Sequence, residues 1–574
     1  MTLASMLGLF VFSILSILIS MSIIGAIISA SEATTTVAPN SVFTLVLKGS
    51  LVERSEKNSL SAIMGTLDKS RAELGLDELL QAIDKAQKTD NIKGLYLDVE
   101  SFEASPAAIK ELRQALLSFK ESGKFIVAYA DSYTNGTYHL ASVADKVTMN
   151  PHGMMGVMGL TMNTVFFKDA LEKLGIEMQV FKVGTFKSAV EPFVNRQMSD
   201  ANRLQLTQLS TSIWNDMLSD IAASRHIKVE EINQFANQGL FMSEPEKAVE
   251  FGLVDTLIYE NAIDSLLQAY VGADYQQVKL KAMKNVDLKE AYSADKVAVV
   301  YAVGNIDDNS DQNLDSKKIT ETLLDLADND NVKAVVLRIN SPGGSAYGSE
   351  QMWHATSILK AKKPLIVSMG AYAASGGYYI ASAADTIVAE PSTITGSIGI
   401  FGMLPNVKEL TQKLGLAFDG VKTNELSDFG MVTRPTTMVE KTLFQNYVNR
   451  GYELFVKRCA DGRGMTTDQI KAIAEGRVWT GVDAQKIGLV DVLGGLDVAV
   501  KIAAEKANLG TYNISQYPAK KDVFTELMDD LSVSMETRIL KSQLGDNYKY
   551  FNQLKMIQGL QGAQAMMPFV LNVE

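Results

Sequence analysis

Three short stretches hold residue types from which a hydrolytic site can be assembled. Ser375 lies in Ala373-Ala374-Ser375-Gly376-Gly377, soon after the apolar run Pro364 to Ser368. Small residues on both sides permit a sharp strand-to-helix turn that leaves the hydroxyl uncovered. That is the logic of a nucleophile elbow, although Ala373 stands where the motif has glycine. The competing reading is an ordinary serine N-cap. A hydroxyl is a weak nucleophile and needs a base. No histidine follows Ser375, His354 sits beside Trp353 in a helical pattern suited to packing or the surface, and His139 occupies an ordinary packing context. A lysine can serve instead if burial disfavours its ammonium form. Lys187 has the apolar and small neighbours for this: Val183, Gly184, Phe186, Ala189 and Val190. The third stretch is Ser341-Pro342-Gly343-Gly344, whose glycines can turn backbone N–H groups toward an anion. With the N–H of Gly376 they would hold a tetrahedral oxyanion. Alone, Pro-Gly-Gly also reads as a plain type II turn.

The surrounding pattern supplies elements to position these groups. Val297 to Val303, Ala334 to Ile339 and the run from Leu365 read as strands, and Ser349 to Lys360 and Ser375 to Ala384 as helices. Short β-branched runs alternating with helical spacing predict an α/β fold with largely parallel strands.

This unit occurs twice. Thr89 to Val99 (TDNIKGLYLDV) resembles Asn329 to Ile339 (NDNVKAVVLRI). At the same offset Tyr138 falls on Tyr378, Asp145 on Asp385, Pro151 on Pro391, Gly156 on Gly396 and Gly159 on Gly399. Gly252-Leu253-Val254-Asp255 and Gly488-Leu489-Val490-Asp491 mark similar ends. The copies differ where chemistry would sit. Asn135 replaces Ser375, Ser101-Phe102-Glu103-Ala104 replaces the glycine turn, and Ser427 stands at the position of Lys187. Each copy therefore keeps one half of a serine–lysine pair, an outcome expected if both serve a single shared site.

Composition narrows the class. The 574 residues suggest several domains, and a net charge of −12 without a basic stripe argues against a nucleic-acid partner. Cys459 is the only cysteine, and the four histidines lack zinc-hydrolase spacing, so neither a disulfide nor a metal is expected. No P-loop sequence is present, and no cofactor is expected. Met1 to Ser31 has no charged side chain. It reads as an uncleaved anchor, since about 20 apolar residues span a bilayer. No basic segment precedes it, so charge gives no orientation. Ser31 to Asn40 looks like a linker, and the segment after Ala519 has no counterpart in either copy.

Together, the Ser-Pro-Gly-Gly turn, the stretch AYAASGGYYIASAAD, Thr395 to Gly402 (TGSIGIFG) and VGTFKSAVEPF in the first copy resemble the signal peptide peptidase A family in its long, tandem form. The match runs from about Phe43 to Tyr517. The resemblance implies a tandem duplication of a Clp-protease/crotonase-like α/β domain behind one transmembrane helix. It implies Ser375 as nucleophile and Lys187 as general base, with Gly344 and Gly376 as oxyanion donors and Gly343 as the alternative donor. It further implies a homotetramer on the extracytoplasmic face of a bacterial inner membrane, degrading released signal peptides. The expected layout is an anchor at 1–30, a linker at 31–42, repeats at 43–290 and 291–519, and a tail of unassigned role at 520–574. Two other readings compete: a crotonase-type enzyme acting on acyl-CoA, and an inactive membrane scaffold. The first lacks an evident basic site for the nucleotide phosphates, and the intact second-copy motif weighs against the second.

Overall fold

The computed structural model describes residue 12 and residues 34–55, 73–288, 293–308, 313–520 and 563–567. The apolar stretch Met1 to Ser31 therefore lies outside the described residues, apart from Phe12. Among the described residues, no helix is long and apolar enough to cross a membrane.

The duplication read from the sequence is present in the topology. In the first copy, β1 (Ser41–Val52), β2 (Ile92–Glu103) and β3 (Phe125–Ala130) lead to the short helix α1 (Asn135–Ala141) and to β4 (Lys146–Met149). An excursion follows through β5 (Glu177–Lys182) and the long helix α2 (Asp200–Arg225), before β6 (Thr256–Leu257) and β7 (Gln276–Lys279). The sheet runs β7-β1-β2-β3-β4-β6, with every neighbour parallel.

The second copy repeats this plan. It begins with β8 (Lys296–Val303), β9 (Val332–Ser341), the short strand β10 (Gly343–Ser345), α3 (Ala346–Lys360), β11 (Leu365–Ala374) and α4 (Gly376–Ala381). It continues through β12 (Thr386–Ala389), β13 (Ile394–Gly396), β14 (Phe401–Asn406), α5 (Met438–Arg463), β15 (Val478–Thr480) and β16 (Asn513–Tyr517). Its main sheet is ordered β15-β13-β11-β9-β8-β16, with β12 branching from β11. The predicted strands and helices are all present. β11 runs on to Ala374, beyond the apolar run, because the small residues after Gly370 still pair with β9 and β13. Strands buried on both faces read as continuous apolar runs, as the sequence of β11 does.

Two features join the copies. β5 of the first copy pairs antiparallel with β14 of the second, from Lys182 opposite Phe401 to Glu177 opposite Asn406. Behind the sheets, Arg338 of β9 reaches Glu53 and Glu111 of the first copy at 2.8 and 2.7 Å, and Ser368 of β11 at 2.9 Å. All three charged groups are buried. The tail also has a place: β17 (Gln564–Met566) pairs antiparallel with β10 and with β14, forming a sheet that includes β5.

Candidate active site

Ser375 sits between β11 and α4, at φ +55° and ψ −112°. A side-chain-bearing residue seldom adopts this backbone region, and when it does a turn or site usually imposes it. Here the turn is fixed by the Ser375 N–H donating to the Gly396 carbonyl at 2.8 Å, and by packing too tight for larger neighbours. A Cβ on Gly377 would fall 2.7 Å from the Ser341 carbonyl oxygen. Although Ser375 holds the N-cap position of α4, its side chain caps nothing. The N-cap reading is thus set aside.

Lys187 arrives from the other copy. Beyond β5 the chain is pinned by Val183 N–H on the Ile400 carbonyl at 3.1 Å and Phe186 N–H on the Glu475 carbonyl at 2.9 Å. The lysine Nζ then lies 2.7 Å from Ser375 Oγ, 3.1 Å from Ser397 Oγ and 3.1 Å from the Ser397 carbonyl oxygen. Lys187 is fully buried, and burial alone holds its pKa well below the usual lysine range. A neutral amine has two N–H groups and one lone pair. Both Ser397 oxygens can accept its hydrogens, which leaves the lone pair free to accept the Ser375 proton. Ser397 Oγ itself faces the Gly476 carbonyl at 3.4 Å, so the serine is held from behind.

The glycine turn borders the same place. Gly343 and Gly344 take φ +101° and +154°, conformations at ease only for glycine. A Cβ on Gly343 would fall 2.8 Å from the Gly376 nitrogen. The two candidate oxyanion segments are thus in contact. Gly376 opens α4, where the first N–H groups have no partner within the helix. The Gly343 N–H is turned onto Ser341 Oγ at 3.2 Å.

The histidines stay apart from this arrangement. His354 is exposed, and His139 is buried in the first copy with Nε2 at 2.8 Å from Asp220 Oδ2. Asn135 makes, through Nδ2, a 2.9 Å bond to the Gly159 carbonyl. In the second copy the matching Gly399 carbonyl faces Ser375 Oγ at 3.4 Å. The asparagine thus fills the position of Ser375 with a structural bond. Ser427 lies on an exposed segment. Among the described residues, no group of His, Cys, Asp and Glu converges to hold a metal ion.

Ser397 was missed by sequence reasoning although it lies in the TGSIGIFG stretch. Its first-copy counterpart is Val157, so the asymmetry that singled out Ser375 and Lys187 also marks this residue.

A serine on a strained strand-to-helix turn, beside a buried lysine from the other copy, is an arrangement open to serine peptidases. The chain belongs to peptidase family S49, whose pattern matches residues 118–273 and 357–510. The Clp protease pattern matches residues 290–393. Protease 4 of Haemophilus influenzae is 36% identical over 480 residues, covering 81% of this chain and 77% of that protein. Protease 4 of Salmonella typhi is 34% identical over 513 residues, covering 86% and 83%. The chloroplastic serine protease SPPA of Arabidopsis thaliana is 32% identical over 492 residues, covering 82% and 70%.

Proposed function

We propose that this chain is a membrane-tethered endopeptidase that uses Ser375 as nucleophile and Lys187 as general base. The observation carrying the reading is the 2.7 Å approach of a fully buried lysine amine to the serine hydroxyl. Neutral Lys187 takes the Ser375 proton as Oγ attacks the peptide carbonyl. N–H groups of Gly376 and Gly344 stabilise the oxyanion, the Gly343 N–H being turned onto Ser341 Oγ. The C–N bond then breaks, and the leaving amine takes the proton from Lys187. Water, deprotonated by the same lysine, attacks the acyl-enzyme and restores Ser375.

The substrates we infer are released signal peptides and similar hydrophobic peptides. The working unit we infer is a homo-oligomer, a tetramer, on the extracytoplasmic face of a bacterial inner membrane. Residues 1–30 would anchor it, and repeats at 43–290 and 291–519 would each supply half of the dyad.

Fluorophosphonate labelling and peptide cleavage test this reading together. Labelling of the wild type at Ser375, and loss of turnover in Ser375→Ala and Lys187→Ala, is the expected result. Turnover of an acyl-CoA without labelling would favour the crotonase-type alternative. Deleting Met1 to Ser31 should release an active protein, and light scattering should show it as an oligomer. A fully active monomer would remove the assembly claim.

A further inference from the structure

The dyad is closed in this structure: Ser375 and Lys187 are both 0% exposed. A peptide can be cut there only if something moves aside, and the structure holds one segment well placed to do so. Strands β10 and β14 flank a slot one strand wide, with Ser375 beside one edge and the Lys187 arm paired to the other. With the slot vacated, each edge would offer its backbone groups to an extended peptide, the usual way a chain is captured by strand addition.

Residues 563–567 fill that slot. Gly343, Gly344 and Ser345 face Met566, Ala565 and Gln564 in antiparallel register, while Phe401 faces Gln564 from the other side. Ala346 N–H donates to the Ala563 carbonyl at 3.3 Å, and Met567 N–H to the Pro342 carbonyl at 2.7 Å. The Ala565 carbonyl lies against two of the candidate oxyanion glycines, Gly343 and Gly376. A Cβ on Gly343 would overlap it, and one on Gly376 would come within 3.0 Å. The side chains alternate between two apolar pockets built from both copies. Met566 joins Leu171, Met178 and Met403. Met567 joins Leu209, Ile213 and Ala374, the residue before the nucleophile. Gln564 through Met567 are all buried.

We propose that the C-terminal segment 563–567 is a tethered competitive inhibitor, occupying in the resting enzyme the slot that a substrate strand must take. The proposal rests on the dyad reading above and adds regulation to it. Substrate and tail use the same edges and pockets, so they exclude one another. The apparent affinity for substrate is reduced by the fraction of time the slot is closed. Displacing peptides would be extended, with two consecutive larger apolar side chains after a small one, as Met566 and Met567 follow Ala565.

The test compares full-length wild type with Ala565→Pro, which lacks the N–H and cannot sit inside a paired strand. Met567→Asp, which disfavours docking by charge, is the second variant. Each is assayed on an apolar fluorogenic peptide and by fluorophosphonate labelling. Both variants should lower KM by roughly ten-fold or more with kcat unchanged, and label faster by a similar factor. A free peptide with the sequence of residues 563–567 should inhibit Ala565→Pro competitively. Equal KM and labelling rates in folded wild type and variants would overturn the tail proposal alone. So would a wild-type chain cut within 563–567 by its own Ser375, since the tail would then be a substrate. Absence of Ser375 labelling in every protein would sink the dyad reading, and the tail proposal with it.

Discussion

Lys182 stands opposite Phe401 where β5 of the first copy pairs with β14 of the second. Five residues past Lys182 the chain reaches Lys187. This pairing register therefore sets how far the amine reaches toward Ser375. Period-two alternation makes such a register sensitive, because a slip of one residue turns every side chain to the other face. Strand pairing between the copies brings the two residues together, and neither copy holds both.

The pH profile is the first prediction. Burial pushes the Lys187 pKa down, so the neutral amine, the form able to act as base, predominates above that lowered value. An unburied lysine, with a pKa of about 10.4, would be almost wholly protonated at neutral pH. kcat/KM should therefore rise with pH through the lowered pKa and be lost on the acid side. Lys187→Ala should cut kcat by roughly 10³-fold or more. His139→Ala and His354→Ala should keep the wild-type limb and stay within a few-fold in rate. An acid limb that disappears in His139→Ala would assign the base to histidine instead.

Stability should rise with pH as activity does, because both depend on the same buried amine being neutral. The buried amine sheds its proton on folding, so between its lowered pKa and the ordinary lysine value the unfolded chain binds more protons. Stability of the wild type should thus rise with pH across that window. Lys187→Met carries no such cost and fits the same volume. Its melting temperature at pH 7 should exceed that of the wild type by several degrees, with the gap narrowing toward pH 10. A variant that melts lower at pH 7 would mean that the Ser375 and Ser397 contacts outweigh the burial of the lysine.

Ser375, Lys187 and the glycine turn could be read from the sequence because the duplication provides an internal control. A residue type kept in one copy and lost from the other stands out without any relative to compare. Ser397 obeys the same logic against Val157, but serine replacing valine looks like drift until its oxygens are seen beside the lysine. Arg338 could not be found this way. An arginine in a strand pattern reads as an edge or surface residue, and its two carboxylate partners lie in the distant first copy. The tail was equally opaque. Its short apolar run resembles neither copy, and its role depends on a slot formed by strands far away in sequence.

The Arg338 cluster yields a prediction about how the copies hold together. Burial raises the Glu53 carboxyl pKa, while Arg338 counteracts this by charge and hydrogen bonding. Arg338→Leu would leave Glu53 and Glu111 buried without their cation. Breaking a buried pair from one side costs about 3–5 kcal/mol. Urea denaturation should show a loss of that order, and activity should fall with it, because β9 leads directly into the Ser341 to Gly344 turn. Adding Glu53→Gln and Glu111→Gln to Arg338→Leu should recover part of the loss. No recovery would mean that the guanidinium matters for packing rather than charge.

Ser397 gives the sharpest test of how the lysine is aimed. Its side-chain and main-chain oxygens both sit 3.1 Å from Nζ, and together they direct the lone pair at Ser375. Removing the hydroxyl leaves one amine hydrogen without an acceptor and lets the amine rotate off line. The lost acceptor also favoured the charged form, so the ammonium becomes harder to hold. Ser397→Ala should therefore lower kcat by roughly 10–100-fold with little change in KM, and move the acid limb to lower pH. Ser397 also sits at φ +52°, where alanine is strained and glycine is not. Ser397→Gly separates the two effects. If the hydroxyl matters, glycine should match alanine in kcat and in the shifted limb. If glycine restores wild-type rates, the loss in alanine comes from the backbone, and Ser397 has no part in aiming the base.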